Sequence, residues 1–361
     1  MVRFLFRSIA AIGGALIAAS ALAQQPGIAP YQPRPERAHP LVAVVGVNDG
    51  TEVSDFVVPY GILRQSGAAE VMALATAPGP MKMRPALVVD PQATVAEFDQ
   101  QHPEGADYVI VPAVNMHKTD DPTLIGWIRA QAGKGATVVS ICDGALVVAR
   151  AGLFKGRRAT GHWATQALRE REFPETQWLK GTRYVADGPV ISSAGVSAAI
   201  PLSLALVEAI AGHEQAATTA AALGIADWGP QHDSSQFRMT MRDYLSAGGN
   251  GLLSPQQSLA LPVADGIDEI ALALMADAFS RTNRSQAHTL AGKPGPIRTR
   301  RGLMLRPDKV EGDGPTTPQR PLTALDAAPP VQVLDKALAE IEQMYGSGTA
   351  RLVRLQMEYP G

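Results

Sequence analysis

One stretch constrains this chain more than any other: Thr137-Val138-Val139-Ser140-Ile141-Cys142-Asp143-Gly144-Ala145-Leu146. A β-branched apolar run leads into Cys142, the only cysteine in 361 residues, and small residues then open an apolar segment of helical length. That order predicts a strand, a one-residue corner and a helix. It is the layout of a nucleophile elbow, where small neighbours are needed because the turn is strained and other backbone passes close by. The corner sets the sulfur at the start of the next helix, where backbone N–H groups and the helix dipole favour a thiolate. The plainer alternative is a buried, inert cysteine.

The N-terminus bears on that choice. Arg3 and Arg7 precede an apolar run from Ile9 to Leu22, and Ala21-Leu22-Ala23 before Gln24 has the form of a cleavage site. Residues 1–23 therefore read as a signal peptide, too short and poorly flanked for a membrane span after processing. The expected location is the periplasm or outside the cell. In an oxidising compartment a lone cysteine forms no internal disulfide, so it is either buried or kept for chemistry. The seven histidines are scattered without zinc-type spacing, so neither a metal nor another cofactor is expected. There are 32 Lys and Arg against 34 Asp and Glu, two of the basic residues lying in the signal segment. That balance gives no electrostatic case for nucleic acid.

Residues 24–40 are rich in Pro and Gln and read as a tether. Strands are expected at 41–47, 71–75, 86–89, 108–112 and the run into Cys142. Helices are expected at 55–65 and 122–132. Strands alternating with helices imply an α/β fold with an open, doubly wound parallel sheet, in which functional sites lie at the carboxyl ends of the strands. A short strand pair (183–186, 190–192) and helices at 198–211 and 214–223 complete a domain over 41–225. Residues 226–257, rich in Gly, Ser and Gln, read as a linker.

The remainder resembles the beginning. Residues 263–307 align with 47–91 at a fixed offset of 216, with 11 identities in 45 pairs, among them Asp49/Asp265, Gly50/Gly266, Pro78-Gly79-Pro80/Pro294-Gly295-Pro296 and Arg84/Arg300. About three would arise by chance at ordinary composition. Residues 331–357 resemble the segment after Ser197, Gly346 matching Gly212. Residues 258–361 thus read as a degenerate partial copy without the elbow, with Ala271 where the first copy has Asp55. Lacking the middle of a sheet, this half cannot bury its own apolar faces. It is expected to pack on residues 41–225 as an internal pseudo-dimer, leaving the chain monomeric.

From Trp127-Ile128-Arg129 through the elbow to Gly152-Leu153-Phe154-Lys155-Gly156-Arg157-Arg158-Ala159-Thr160-Gly161-His162-Trp163, the chain resembles the ThiJ/PfpI family. The resemblance covers residues 41–225 and implies the flavodoxin-like, class I glutamine amidotransferase-like fold. Its nearest branch contains isonitrile hydratase-like enzymes and the sensor half of AraC-type regulators. It implies a nucleophile at Cys142, an acid beside it at Asp55 and a nearby histidine at His162. Asp55 also suits a helix start, and His162 a satisfied strand-end position. Many relatives carry paired glycines after the strand ending at Pro112; here Ala113 and Val114 stand there, so the oxyanion donors would be the backbone N–H groups of Asp143 and Val114. The regulator branch continues into a DNA-binding region that this chain replaces with the partial copy. The expected activity is hydrolysis or hydration of a small electrophile, such as an isonitrile, amide or reactive carbonyl. The alternative is a ligand-binding or thiol redox-sensing module of the same fold.

Overall fold

The computed structural model describes residues 27–35, 37–253, 256–312, 320–321 and 329–360, so the expected signal segment 1–23 lies outside the described residues. The first unit runs β1 (Leu41–Gly46), β2 (Asp49–Glu52), α1 (Val53–Ser66), β3 (Glu70–Ala75), β4 (Met81–Arg84), β5 (Val88–Asp90), β6 (Ala93–Thr94), α2 (Val95–Gln101), β7 (Tyr108–Val111), α3 (Pro122–Gly133), β8 (Thr137–Ser140), α4 (Gly144–Arg150), β9 (Arg158–Ala159), α5 (Gln166–Glu172), β10 (Gln177–Trp178), β11 (Tyr184–Asp187), β12 (Val190–Ser193), α6 (Ala199–Ala211) and α7 (His213–Leu223). Its main sheet has the order β11-β12-β8-β7-β1-β3-β6, parallel except for β11. The continuous apolar runs of β1 and β7 are buried on both faces, as central parallel strands must be. The chain leaves β1 toward β3 and β6, then returns on the other side with β7 and β8. The reversal between β1 and β7 is the switch point of a flavodoxin-like, doubly wound fold, and the elbow follows β8 at that edge.

Two segments differ from expectation. Residues 27–40 are not a free tether: Tyr31 N–H donates to the Ala209 carbonyl, and Arg34 and Arg37 both pair with buried Asp107 at 2.8 Å. Composition hid this because the two arginines find their partner about seventy residues away. Within the expected linker, Met241–Leu253 forms helix α8. Thr240 and Asp243 start it by reciprocal hydrogen bonds, the Asp243 carboxylate accepting from Thr240 N–H and Thr240 Oγ1 from Asp243 N–H. This is a capping box closed by Asp, and it overrides the helix-weakening glycines at 248, 249 and 251.

The second unit comprises β13 (Gln257–Val263), α9 (Glu269–Ser280), β14 (Ser285–Ala291), β15 (Ile297–Arg298), β16 (Met304–Arg306), β17 (Lys309–Val310), β18 (Arg320–Pro321), α10 (Gln332–Tyr345) and α11 (Ser347–Met357). Its parallel sheet has the order β17-β14-β13-β18. The two units meet reciprocally. In a separate sheet β5 pairs antiparallel with β16, Val89 opposite Leu305, flanked by Asp90–Met304 and Val88–Arg306. Ser54 Oγ donates to Asp277 at 2.6 Å, while a Cβ at Gly61 would lie 2.6 Å from Ile270. Residues 54 and 61 differ from 270 and 277 by the same 216 positions. Farther on, Gly195 abuts Glu358 and Gly224 abuts Pro329, again a matched pair, here offset by 134.

α1 and α9 carry the junction. Twelve of the 14 residues of α1 and eleven of the 12 of α9 are buried. Phe56, Tyr60 and Leu63 of the first unit share one apolar core with Ile270, Leu274, Phe279 and Leu334 of the second. Each such side chain contributes roughly 1.5–3 kcal/mol by leaving water. A shared core of this kind unfolds as one. Leu274→Ala should destabilise by about 2–5 kcal/mol, and urea denaturation followed by circular dichroism and tryptophan fluorescence should show one coincident transition; two separate transitions would contradict the common core.

Candidate active site

The elbow is strained as its sequence implies. Ile141 N–H still bonds to Val111 in the sheet, Cys142 then takes φ 56°, and Gly144 N–H returns to the Ile141 carbonyl. A positive φ is costly for a residue with a Cβ. Gly144 is dictated by space: a Cβ there would lie 2.1 Å from the Val111 carbonyl oxygen. The Asp143 backbone N–H hydrogen-bonds the Cys142 sulfur, and Cys142 is 6% exposed.

Asp55 is fully buried in the first turn of α1. Its Oδ2 accepts from Ala113 N–H at 3.1 Å, and its Oδ1 has no hydrogen-bond partner. Burial, with the neighbouring Glu52 charge, raises its pKa well above the usual carboxylate range and so favours the protonated form. The unpartnered Oδ1 is where a donor O–H can sit. The thiol is also raised: burial leads, followed by the charges of Asp55, Asp143 and Glu52, against the lowering effect of Asp143 N–H. The thiolate expected at this helix start is therefore replaced by a neutral thiol at rest. Desolvation among three acids outweighs one N–H bond and a short helix.

Charged groups absent from the sequence reading surround this pair. Arg281, from the end of α9, ion-pairs with Glu52 and meets Asp277 through its Nε at 2.5 Å. Arg84 reaches the other Glu52 oxygen at 3.4 Å. Glu52, buried and close to Asp277, has its pKa pushed up to about 7 despite both arginines. Three buried carboxylates thus face one nearly buried guanidinium, and the acid without a cation partner, Asp55, holds a proton. Arg169, completely buried, donates to the His162 carbonyl at 2.7 Å and also to Thr165, whose hydroxyl donates to Asp143 at 2.5 Å. Its place in the run Arg169-Glu170-Arg171-Glu172 reads as a solvated face, which concealed it. Arg281 carried no signal short of folding the second unit onto the first.

His162 is 8% exposed and lies at the edge of the site. Its Nε2 lies 3.1 Å from the Gln356 carbonyl, and its Nδ1 accepts from Ala164 N–H at 3.3 Å. These partners select the neutral Nε2–H tautomer and occupy both nitrogens, leaving none free for proton transfer while they persist. Val114 is buried in the loop after β7, bridged to Thr51, with the flanking bonds Glu52 N–H to Ala113 and Asn115 N–H to Gly50. Among the described residues, no group of three or more His, Cys, Asp and Glu is placed to hold a metal ion, and no helix is long and apolar enough to cross a membrane. The thiol should titrate above the ordinary value of ~8.5. Thiolate absorbance against pH checks this. A wild-type thiol ionised below neutrality would contradict the resting state described.

Residues 42–209 match the DJ-1/PfpI family. A 124-residue stretch is 33% identical to the HTH-type transcriptional regulator CdhR of Pseudomonas aeruginosa, covering 34% of this chain and 36% of that protein. A 98-residue stretch is 35% identical to isonitrile hydratase of Pseudomonas putida, covering 27% of this chain and 41% of that protein. The matched stretches thus span less than half the length of either relative. Among solved structures, Drosophila melanogaster DJ-1beta aligns over 52% of this chain and 100% of its own, with TM-score 0.47 and 20% identity. Over residues 42–209 this chain carries a DJ-1/PfpI family domain.

Proposed function

We propose that this chain is an exported cysteine-dependent hydratase or hydrolase for a small electrophile: an isonitrile, amide or reactive carbonyl. The observation that carries the reading is Cys142 at a strained elbow beside buried, protonated Asp55 with a free Oδ1. A neutral thiol and a neutral acid suit addition of S–H across an electrophilic carbon. With an isonitrile, sulfur bonds to the terminal carbon while that carbon takes the Asp55 proton, and the thiol proton passes to Asp55. The product is a thioimidate. Water then adds to the same carbon, the C–S bond breaks, and a formamide leaves as the thiol re-forms. With an amide or carbonyl, the oxygen takes the proton instead. The N–H groups of Asp143 and Val114 are the donors for developing negative charge. His162 serves as a positioning residue, its ring holding Gln356 and its carbonyl held by Arg169.

The second reading, a ligand-binding or redox-sensing module, is favoured by the resting protonation and low exposure of Cys142. Turnover separates the two. Screened against isonitriles, amides and α-oxoaldehydes, the protein should convert one class; Cys142→Ala should abolish that conversion, and Asp55→Asn should lower kcat by about 10²–10⁴-fold. Full activity in Cys142→Ala would sink the catalytic reading, and no conversion in any class would leave the sensor.

The same proposal assigns residues 258–361 as a degenerate copy occupying a second subunit's place. Its support is the reciprocity of the junction at fixed offsets. Because the two copies are covalently joined, their contact is intramolecular and of high effective concentration. Light scattering should find a monomer for the full chain, and deletion of 258–361, which uncovers α1, should give dimers or aggregates. A full-length dimer together with a soluble monomeric truncation would refute the assignment.

A further inference from the structure

A cavity of about 740 Å³ lies apart from Cys142, between residues 236–240, α8 and α11. Its volume is within the range of small-molecule sites, and it has the mixed lining such sites use. Phe237, Leu355 and Tyr359 supply apolar wall, and Arg242, Arg351 and Arg354 supply cations. Arg351 is neutralised by Asp243 at 3.0 Å. The guanidinium groups of Arg242 and Arg354 have no ion pair or hydrogen bond among the described residues, and against them the wall offers the single exposed carboxylate of Glu342. Two planar forks without a protein partner, beside aromatic surface, suit an anion on an apolar body.

The wall is also wired to the elbow. Phe237 stacks on His232 with centroids 5.3 Å apart and planes 15° from parallel. His232 Nε2 meets Glu358 Oε1 at 3.0 Å, both side chains buried, and Glu358 Oε2 accepts from Trp163 N–H at 3.4 Å. The Leu355 carbonyl accepts from Trp163 Nε1 at 2.8 Å, and the next carbonyl, Gln356, binds His162. The residues that close the cavity therefore grip the His162–Trp163 turn, which Arg169 and Thr165 connect to Asp143.

We propose that this cavity binds a small organic anion, a carboxylate or phosphate on an apolar body, and that its occupancy alters the reactivity of Cys142. The test uses the full chain, with benzoate and phenyl phosphate as probes, inorganic phosphate as the bare anion, and iodoacetamide alkylation of Cys142 as a readout independent of turnover. Calorimetry should show saturable binding of an aryl anion, tighter than inorganic phosphate. Arg242→Gln and Arg354→Gln, both at solvent-accessible positions, should each weaken it by about tenfold or more, the scale of a charge-assisted bond. Saturating ligand should change the alkylation rate at least twofold, and Phe237→Ala should remove that change. The inference is overturned if neither aryl anion binds, if both arginine variants bind as the wild type does, if bare phosphate binds as tightly as phenyl phosphate, or if alkylation is indifferent to ligand.

Discussion

The structure depends on a helix with almost no solvent face. α1 lies against the main sheet and α6 on one side and against α9 on the other, leaving only Arg64 and Gln65 well exposed. A helix apolar nearly all round must be covered nearly all round. Here the second cover comes from the same chain. Everything chemical follows from that enclosure. Asp55 on the first turn of α1 is out of water because α9 and the loop after β7 close over it. Its pKa is therefore raised, and its Oδ1 is left without a hydrogen-bond partner.

Burial alone would make this region untenable, since uncompensated charges in a dry interior are expensive. The cluster is arranged so that few are uncompensated. Arg281 serves both Glu52 and Asp277, Arg84 adds a second cation at the edge, and Ser54 takes the remaining Asp277 oxygen. Desolvation raises the pKa where no cation makes a direct pair, at Asp55, and is met by ion pairing at Glu52 and Asp277. The same balance keeps the thiol neutral. Asp143 N–H favours the sulfur anion, but burial and the acids around the sulfur outweigh it. On the function proposed above, reactivity arises when substrate and acid move protons together, rather than from a standing thiolate.

The sheet and the elbow were legible because each rests on local signals. The buried run Leu41–Gly46, the β-branched approach to Cys142 and the forced Gly144 are visible within a few residues. Cys142 and Asp55 were found, the second by family resemblance and helix-start position. Features that depend on distant partners were not legible. Arg34 and Arg37 dock on Asp107, Arg169 hides in an alternating charge run, and Arg281 acts only after α9 meets α1. α8 was missed for another reason: its Asp-closed capping box is short, and glycines follow it.

The two units meet through contacts at matched offsets, yet their chemistry is unequal, and the inequality falls beside Cys142. Asp55 has Ala271 as its counterpart at offset 216, and Arg281 has Gln65. The structural ion pair is kept on both sides: Arg84 on Glu52, and Arg300 on Asp268 at 2.9 Å. So the first unit retains the acid and the elbow, while the second retains the buried cation it lends across the junction. In a symmetric pair of two complete units, each would need both. A covalent pair needs each only once, and a side chain whose single use lies on the other unit is free to drift. Gln65 shows the outcome: its Oε1 accepts from Arg301 Nε at 2.9 Å near the surface, a hydrogen bond where the matching position supplies a charge to the environment of Cys142. On this reasoning the second unit cannot be judged by its own missing elbow, because its contribution is read in the environment of Cys142.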